Sequence, residues 1–177
     1  DILDWILSGR CHLIWTGGEP TLKKHQKDIV NCINDLQLRF GPDRDVKLYN
    51  EIETNGTQFI EDELFEELDQ VNCSVKLANS GMSKDKRIVP EALERIISHK
   101  GHWFKFVVSK EEDLDEIEND FIKPFNIDPK RVLMMPGLDH QDNFHERTKF
   151  ILELAGKHGY IGLTRLHISA WNQTTGV

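Results

Sequence analysis

"HLIWTGGEPTL", His12 to Leu22, decides the fold. Strand-favouring residues run straight into Thr-Gly-Gly-Glu-Pro, and a helical period starts at Leu22. A strand that hands over to a helix through a glycine turn opens a strand–helix–strand unit. Turn chemistry alone needs fewer special residues than two glycines, an acid and a proline.

Working outward, the chain alternates. Residues 11–15 read as a strand. Residues 22–40 read as a helix with Ile29, Val30, Ile33, Leu36 and Phe40 on its apolar side, and "GPDRD" as the loop that stops it. Strands are expected at 46–54, 71–77, 102–109 and 131–137, with "LTRLHISAW" as the last strand. Helices are expected at 61–70, at 90–100 with Pro90 in the first turn, at 110–123 ending before Pro124, and at 142–159. "DILDWILSG" at the start reads as a helix that stops at Gly9. Sequential strand–helix alternation predicts an α/β fold with a parallel sheet and right-handed crossovers, in a single domain over residues 1–177.

A chain of 177 residues is long enough to bury a sizeable core. Its formal charge of −8, with Lys and Arg scattered apart from "SKDKR", argues against nucleic acid as a partner. No apolar run reaches membrane-spanning length and no signal-peptide pattern opens the chain, so a cytoplasmic protein without a membrane partner is expected. Cys11, Cys32 and Cys73 are odd in number and far apart, without Cys-x-x-Cys; a disulfide framework and a compact zinc site are both disfavoured, and buried thiols are expected. The acidic run at 61–69 reads as a solvated helix face.

In parallel α/β folds the active site lies at the carboxyl ends of the strands. Small, polar and glycine residues collect there: "TGGEP", "ETNGT", "SVKLANSG", "MMPGLD" and "WNQTTGV". In "TGGEP" the glycines let a ligand approach the backbone and Glu19 adds a carboxylate, which suits an amine-bearing small molecule; a tight turn with an exposed acid is the plainer reading. No phosphate loop is present, because Gly-Lys-Ser/Thr is missing. Glu51 and Glu53 share one face of their strand, where carboxylates need partners; the alternative is a half-exposed strand. Ser74 and Lys76 flank Val75 on one face, so Lys76 reaches either a ligand or solvent. His167 stands in an apolar run, which usually marks a core histidine.

Taken in order, "WTGGEPTL", "IETNGT", "SVKLANSG", "KFVVS", "LMMPG" and "RLHISAWN…GV" resemble the radical SAM superfamily and, within it, the 7-carboxy-7-deazaguanine synthase family of queuosine and 7-deazapurine biosynthesis. The resemblance runs from about Cys11 to Val177 and implies a partial, open TIM-like barrel of parallel strands with helices outside. It implies that Gly17, Gly18 and Glu19 hold the amino group of S-adenosylmethionine, with Glu53 and Asn55 also at the cofactor. Ser74, Val75 and Lys76 would contact the adenosyl moiety, and Met135, Pro136, Gly137 and Leu138 would lie along the adenine. Thr16, Glu51, His167 and the carboxylate of Val177 would face the substrate.

Two departures stand out. Val75 replaces the family's proline, and Cys-x-x-x-Cys-x-x-Cys, whose thiolates would ligate a [4Fe–4S] cluster, does not occur. The expectation is that the chain lacks an N-terminal portion carrying the cluster ligands and the Mg²⁺ ligand, and that without it the chain does not turn over. For an intact protein the resemblance implies a radical S-adenosylmethionine lyase. It would convert 6-carboxy-5,6,7,8-tetrahydropterin to 7-carboxy-7-deazaguanine with loss of ammonia, as a homodimer reduced by a flavodoxin-like donor. A different radical SAM enzyme such as a glycyl-radical activase, and a cluster-free module that binds S-adenosylmethionine or a partner, are the alternatives.

Overall fold

The computed structural model describes residues 11–44, 48–137, 141–172 and 174. The chain divides into two compact units, one of residues 1–73 with 88–102 and one of residues 74–87 with 103–177.

The first unit is built on three parallel strands, β1 (His12–Trp15), β2 (Tyr49–Thr54) and β3 (Gln70–Cys73), in that order. The register sets Ile14 beside Glu51, and Glu53 beside Asn72. Because strand side chains alternate, Ile52, Thr54, Val71 and Cys73 share one buried face, whereas Tyr49, Glu51, Glu53, Gln70 and Asn72 share the other. Helices α1 (Lys23–Arg44), α2 (Asp62–Glu67) and α4 (Pro90–Ser98) supply Ile33, Leu64, Leu93 and Ile96, all fully buried. Pro90 sits in the first turn of α4, where its missing N–H costs nothing.

Helix α1 runs on to Arg44, through the Gly41-Pro42 pair expected to stop it. Pro42 cannot donate to the carbonyl of Leu38, but Leu38 is exposed, so water can meet that carbonyl. Cys11 and Cys32 pack, partly buried, against the Leu36–Phe40–Leu48 cluster, and Cys73 alone of the three is fully buried. The early part of the second expected strand, Val46 and Lys47, and the expected helix before Gly9 lie outside the described residues.

The second unit holds parallel strands β4 (His102–Val108, whose first residue falls in the first unit), β5 (Val132–Pro136) and β6 (Ile161–Gly162), again in order. Phe104, Phe106, Val132 and Met134 are buried, and Phe106 packs on Phe121 at 5.4 Å between ring centres. Ile151 and Ala155 of α7 (Phe144–His158) complete this core. Around it lie α3 (Lys84–Arg87), α5 (Asp113–Glu116) and α6 (Lys123–Phe125).

Two expectations fail in this unit. The helix that should end before Pro124 continues through it: residues Ile117–Ile122 form a π-helical turn, the helix restarts at Lys123, and Pro124 falls in a fresh first turn. The segment expected as the last strand is instead helix α8 (Leu166–Trp171), and β6 lies before it. A strand would bury Leu166 and Ile168 together; here Leu166 is 73% exposed and Ile168 is 5% exposed. No described helix is long and apolar enough to cross a membrane.

Candidate functional site

The turn after β1 and the turn after β2 are joined by one carboxylate. Glu19 Oε1 accepts from the Thr21 hydroxyl at 2.6 Å, the Thr21 backbone N–H at 3.1 Å and the Thr54 hydroxyl at 2.8 Å. Its Oε2 accepts the backbone N–H of Asn55 at 2.8 Å. With two lone pairs per oxygen, Oε1 is fully used and Oε2 keeps one acceptor position open. Gly17 (φ 94°) and Gly18 (φ 56°) take left-handed backbone that other residues resist, and a Cβ on either would meet nothing within 4 Å. Open space therefore lies beside both glycines.

The turn after β2 is held as firmly. Asn55 Oδ1 accepts from the backbone and hydroxyl of Thr57. Gly56 (φ 75°) passes so close that a Cβ would lie 2.5 Å from Cys73 Sγ. A cavity of about 280 Å³ beside the first turn is lined by Trp15, Thr16, Gly17, His25, Asp28 and Ile29.

On the polar face of the first unit, Glu51 is 8% exposed and solves its burial with two partners. His12 Nε2 lies 2.8 Å from its Oε2, and the Asn72 amide donates to its Oε1 and to Glu53 Oε1. The Asn72 oxygen accepts from Gln70, whose own oxygen accepts from the Tyr49 hydroxyl at 3.0 Å. That sequence of donors fixes the Asn72 amide with its nitrogen toward the carboxylates. Burial, then the Asp69 and Glu51 charges, push the Tyr49 phenol up, so it remains a donor.

The second unit has its own cavity, about 380 Å³, lined among others by Val75, Lys76, Asn79, Ser109, Gly137 and Arg165. Its volume is that of a small-molecule pocket. Beyond β3 the chain is no longer strand, yet Val75 and Leu77 stay buried while Lys76 points outward, as the alternation implied. Two networks hold this segment. The Glu116 carboxylate accepts the backbone N–H of Ala78 and pairs with Arg87, which is 4% exposed. The buried Asp113 carboxylate accepts from Asn79 and from the backbone N–H of Ser109. At Gly137 a Cβ would collide with the Ser109 hydroxyl, so a larger residue there requires that side chain to move aside.

Structure and sequence thus meet unevenly. Thr16, Gly17, Gly18, Glu19, Glu51, Glu53 and Asn55 lie in the first unit; Ser74, Val75, Lys76, Met135, Pro136 and Gly137 lie in the second. His167 is on helix α8 and exposed, not on a strand. Leu138 and Val177 lie outside the described residues. Sequence reasoning passed over Thr21, Thr54, Asn72, Asn79 and Asp113; the threonines stand inside quoted motifs, but nothing local marks Asp113 as more than one acid in a charged helix.

The thiols present do not fit a [4Fe–4S] cluster. Cys11 and Cys32 sit in an apolar cluster, Cys73 is sealed under Gly56, and no group of three metal-ligating side chains occurs among the described residues.

No family profile matches the sequence. The chain is 30% identical over 167 residues to the 7-carboxy-7-deazaguanine synthase of Pyrobaculum aerophilum, an alignment covering 93% of this chain and 67% of that protein. Its fold resembles QueE from Escherichia coli, with a TM-score of 0.56 and 18% identity over 93% of this chain and 61% of that one. It also resembles Streptococcus suis SuiB, determined bound to S-adenosylmethionine, with a TM-score of 0.53 and 16% identity over 94% of this chain and 42% of that one. The fold is accordingly α/β, with parallel strands in an open arrangement. By its identity to the Pyrobaculum protein over that span, the chain belongs to the 7-carboxy-7-deazaguanine synthase family of radical SAM enzymes.

Proposed function

We propose that this chain supplies S-adenosylmethionine-binding and pterin-binding residues to an enzyme that converts 6-carboxy-5,6,7,8-tetrahydropterin to 7-carboxy-7-deazaguanine with release of ammonia. The observation that carries the reading is the Glu19 clamp. A carboxylate with one oxygen saturated and one acceptor position open, beside two glycines facing empty space, suits the ammonium of an amino acid. Gly17 and Gly18 would bring backbone to the same group.

Ser74, Val75 and Lys76, with Met135, Pro136 and Gly137, would hold the adenosyl moiety, and Glu53 and Asn55 would complete the cofactor contacts. Thr16, Glu51 and His167 would face the pterin, Glu51 as a buried acceptor for ring N–H groups. S-adenosylmethionine supplies a carbon-centred radical when reduced; the chain's part is to bind, orient and exclude water. A homodimer and a flavodoxin-like reductant belong to the same proposal.

The test is an assay of the anaerobically purified full-length protein on 6-carboxytetrahydropterin with S-adenosylmethionine. The expected products are 7-carboxy-7-deazaguanine and ammonia in equal amounts by mass spectrometry and ammonia assay. Cleavage of S-adenosylmethionine with the pterin left unchanged would overturn the substrate assignment.

A further inference from the structure

The cavity of the second unit contains an acceptor whose direction its neighbours dictate. Asn79 lines the cavity, and its Nδ2 donates to the Asp113 carboxylate at 2.9 Å and to the Val107 carbonyl at 3.1 Å. Neither partner can donate, so the amide has one orientation: turned over, its oxygen would face two oxygens. Asp113, 5% exposed, is itself pinned, because the same Oδ2 accepts the backbone N–H groups of Ser109 at 2.7 Å and Lys110 at 3.3 Å. Both amide hydrogens of Asn79 are thereby used. Its Oδ1 has no protein partner among the described residues.

We propose that Asn79 Oδ1 is a specificity-determining acceptor for a hydrogen-bond donor on the adenosine moiety, with Asp113 as the positioning residue behind it. The inference rests on the S-adenosylmethionine reading above and deepens it. An adenosine offers donors at its exocyclic amine and at its ribose hydroxyls. Lys76 and Arg165, which line the same cavity, only donate, so they cannot read any of these. A fixed acceptor can, and it rejects an analogue whose matching group is another acceptor or is missing. Nothing local marks Asn79 for this role, because the residue that aims it is 34 positions away.

Calorimetric titration of the anaerobically purified full-length protein with S-adenosylhomocysteine, its inosine counterpart and its 2′,3′-dideoxyribose counterpart tests the assignment. Asn79→Leu should weaken S-adenosylhomocysteine about three- to tenfold, the worth of one neutral hydrogen bond. The counterpart that lacks the paired donor should bind wild type and variant equally, which identifies the donor. Asn79→Ala removes the same oxygen with less bulk and replaces the leucine variant if circular dichroism shows that one unfolded. An equal loss for all three ligands would make Asn79 merely structural and overturn the proposal, as would no loss for any. Failure of the wild-type full-length protein to bind S-adenosylhomocysteine would instead remove the cofactor reading itself, and this inference with it.

Discussion

Glu19→Gln changes almost no volume and tests whether one carboxylate ties two turns together. The glutamate takes three donors on Oε1 and one on Oε2, and two of the four are backbone N–H groups, of Thr21 and Asn55. Threonine hydroxyls can rotate and become acceptors; backbone N–H groups cannot. In the glutamine variant the amide NH₂ must face one side or the other. Facing Oε1's partners it orphans the Thr21 N–H, and facing Oε2's partner it orphans the Asn55 N–H. Either arrangement leaves one donor unmet in a half-buried place, at a cost of about 1–3 kcal/mol. For a chain of this length that corresponds to a fall of about 2–12 °C in melting temperature.

The measurement is thermal and urea unfolding of the unliganded chain, followed by circular dichroism. Thr54→Val removes one donor to the same oxygen, so the double variant should lose less than the sum of the singles. A Glu19→Gln chain that melts with the wild type would refute the reasoning: the carboxylate would then be a free ligand group and not a strut. Additive single losses would equally show that Glu19 and Thr54 do not share a bond. Because no ligand is present, a loss of cofactor affinity in the variant cannot imitate either result.

Gly56→Ala combines a left-handed φ of 75° with a Cβ placed 2.5 Å from Cys73 Sγ and 3.1 Å from Leu93 Cδ2. Strain of about 1–2 kcal/mol and overpacking of about 1–3 kcal/mol should lower the stability read from the urea midpoint by about 2–5 kcal/mol. Gly137→Ala should lower stability and S-adenosylhomocysteine affinity together, and Ser109→Ala in the same chain should recover part of both, since the Ser109 hydroxyl is the first atom struck. Glu116→Gln strands the buried Arg87 guanidinium and should cost about 3–5 kcal/mol in urea unfolding, against little change for an exposed control such as Glu153→Gln. His99 donates from Nε2 to Leu68 and accepts the Gly101 N–H at Nδ1, so it is built to be neutral; burial above all, with His102 and Lys100 nearby, lowers its affinity for a proton despite Asp69 and the Leu68 carbonyl. The unfolded chain takes that proton at the ordinary value of about 6.5, so stability should be full above it and fall as pH drops below it, and His99→Gln should flatten the fall.

Periodicity carried most of the fold because each element here buries a recognisable stripe. Ile29, Ile33, Leu36 and Phe40 are all buried as their spacing in α1 demands, and the alternation through residues 74–77 persists even where the strand has ended. The errors share a cause: proline and short mixed runs are local signals that neighbours can reverse. Pro42 and Pro124 each look like a stop, yet the helix runs through the first beside an exposed carbonyl, and the second is received by a π-turn that starts a new helical turn. "LHISAW" alternates on paper, but Ile168 alone finds a core to enter, and six residues with one buried side chain close as a helical turn and a half.

For the site, residue types were legible and atoms were not. Two glycines, an acid and a proline after a strand mark a turn where open backbone lies beside a carboxylate, since each type has a chemistry that turn formation alone does not need. Which carboxylate oxygen remains available is set by Thr54 and Asn55, which arrive from the next strand, 35 and 36 residues along. The same holds for Glu51, whose charge is tolerable only because His12 and Asn72 come from the strands on either side. Asn79 and Asp113 repeat the pattern in the other unit, where a buried acid turns an amide on a short 3-10 turn into an acceptor of fixed direction. A motif states what chemical groups a site has; long-range partners consume some of their lone pairs and hydrogens, and the remainder is what a ligand meets.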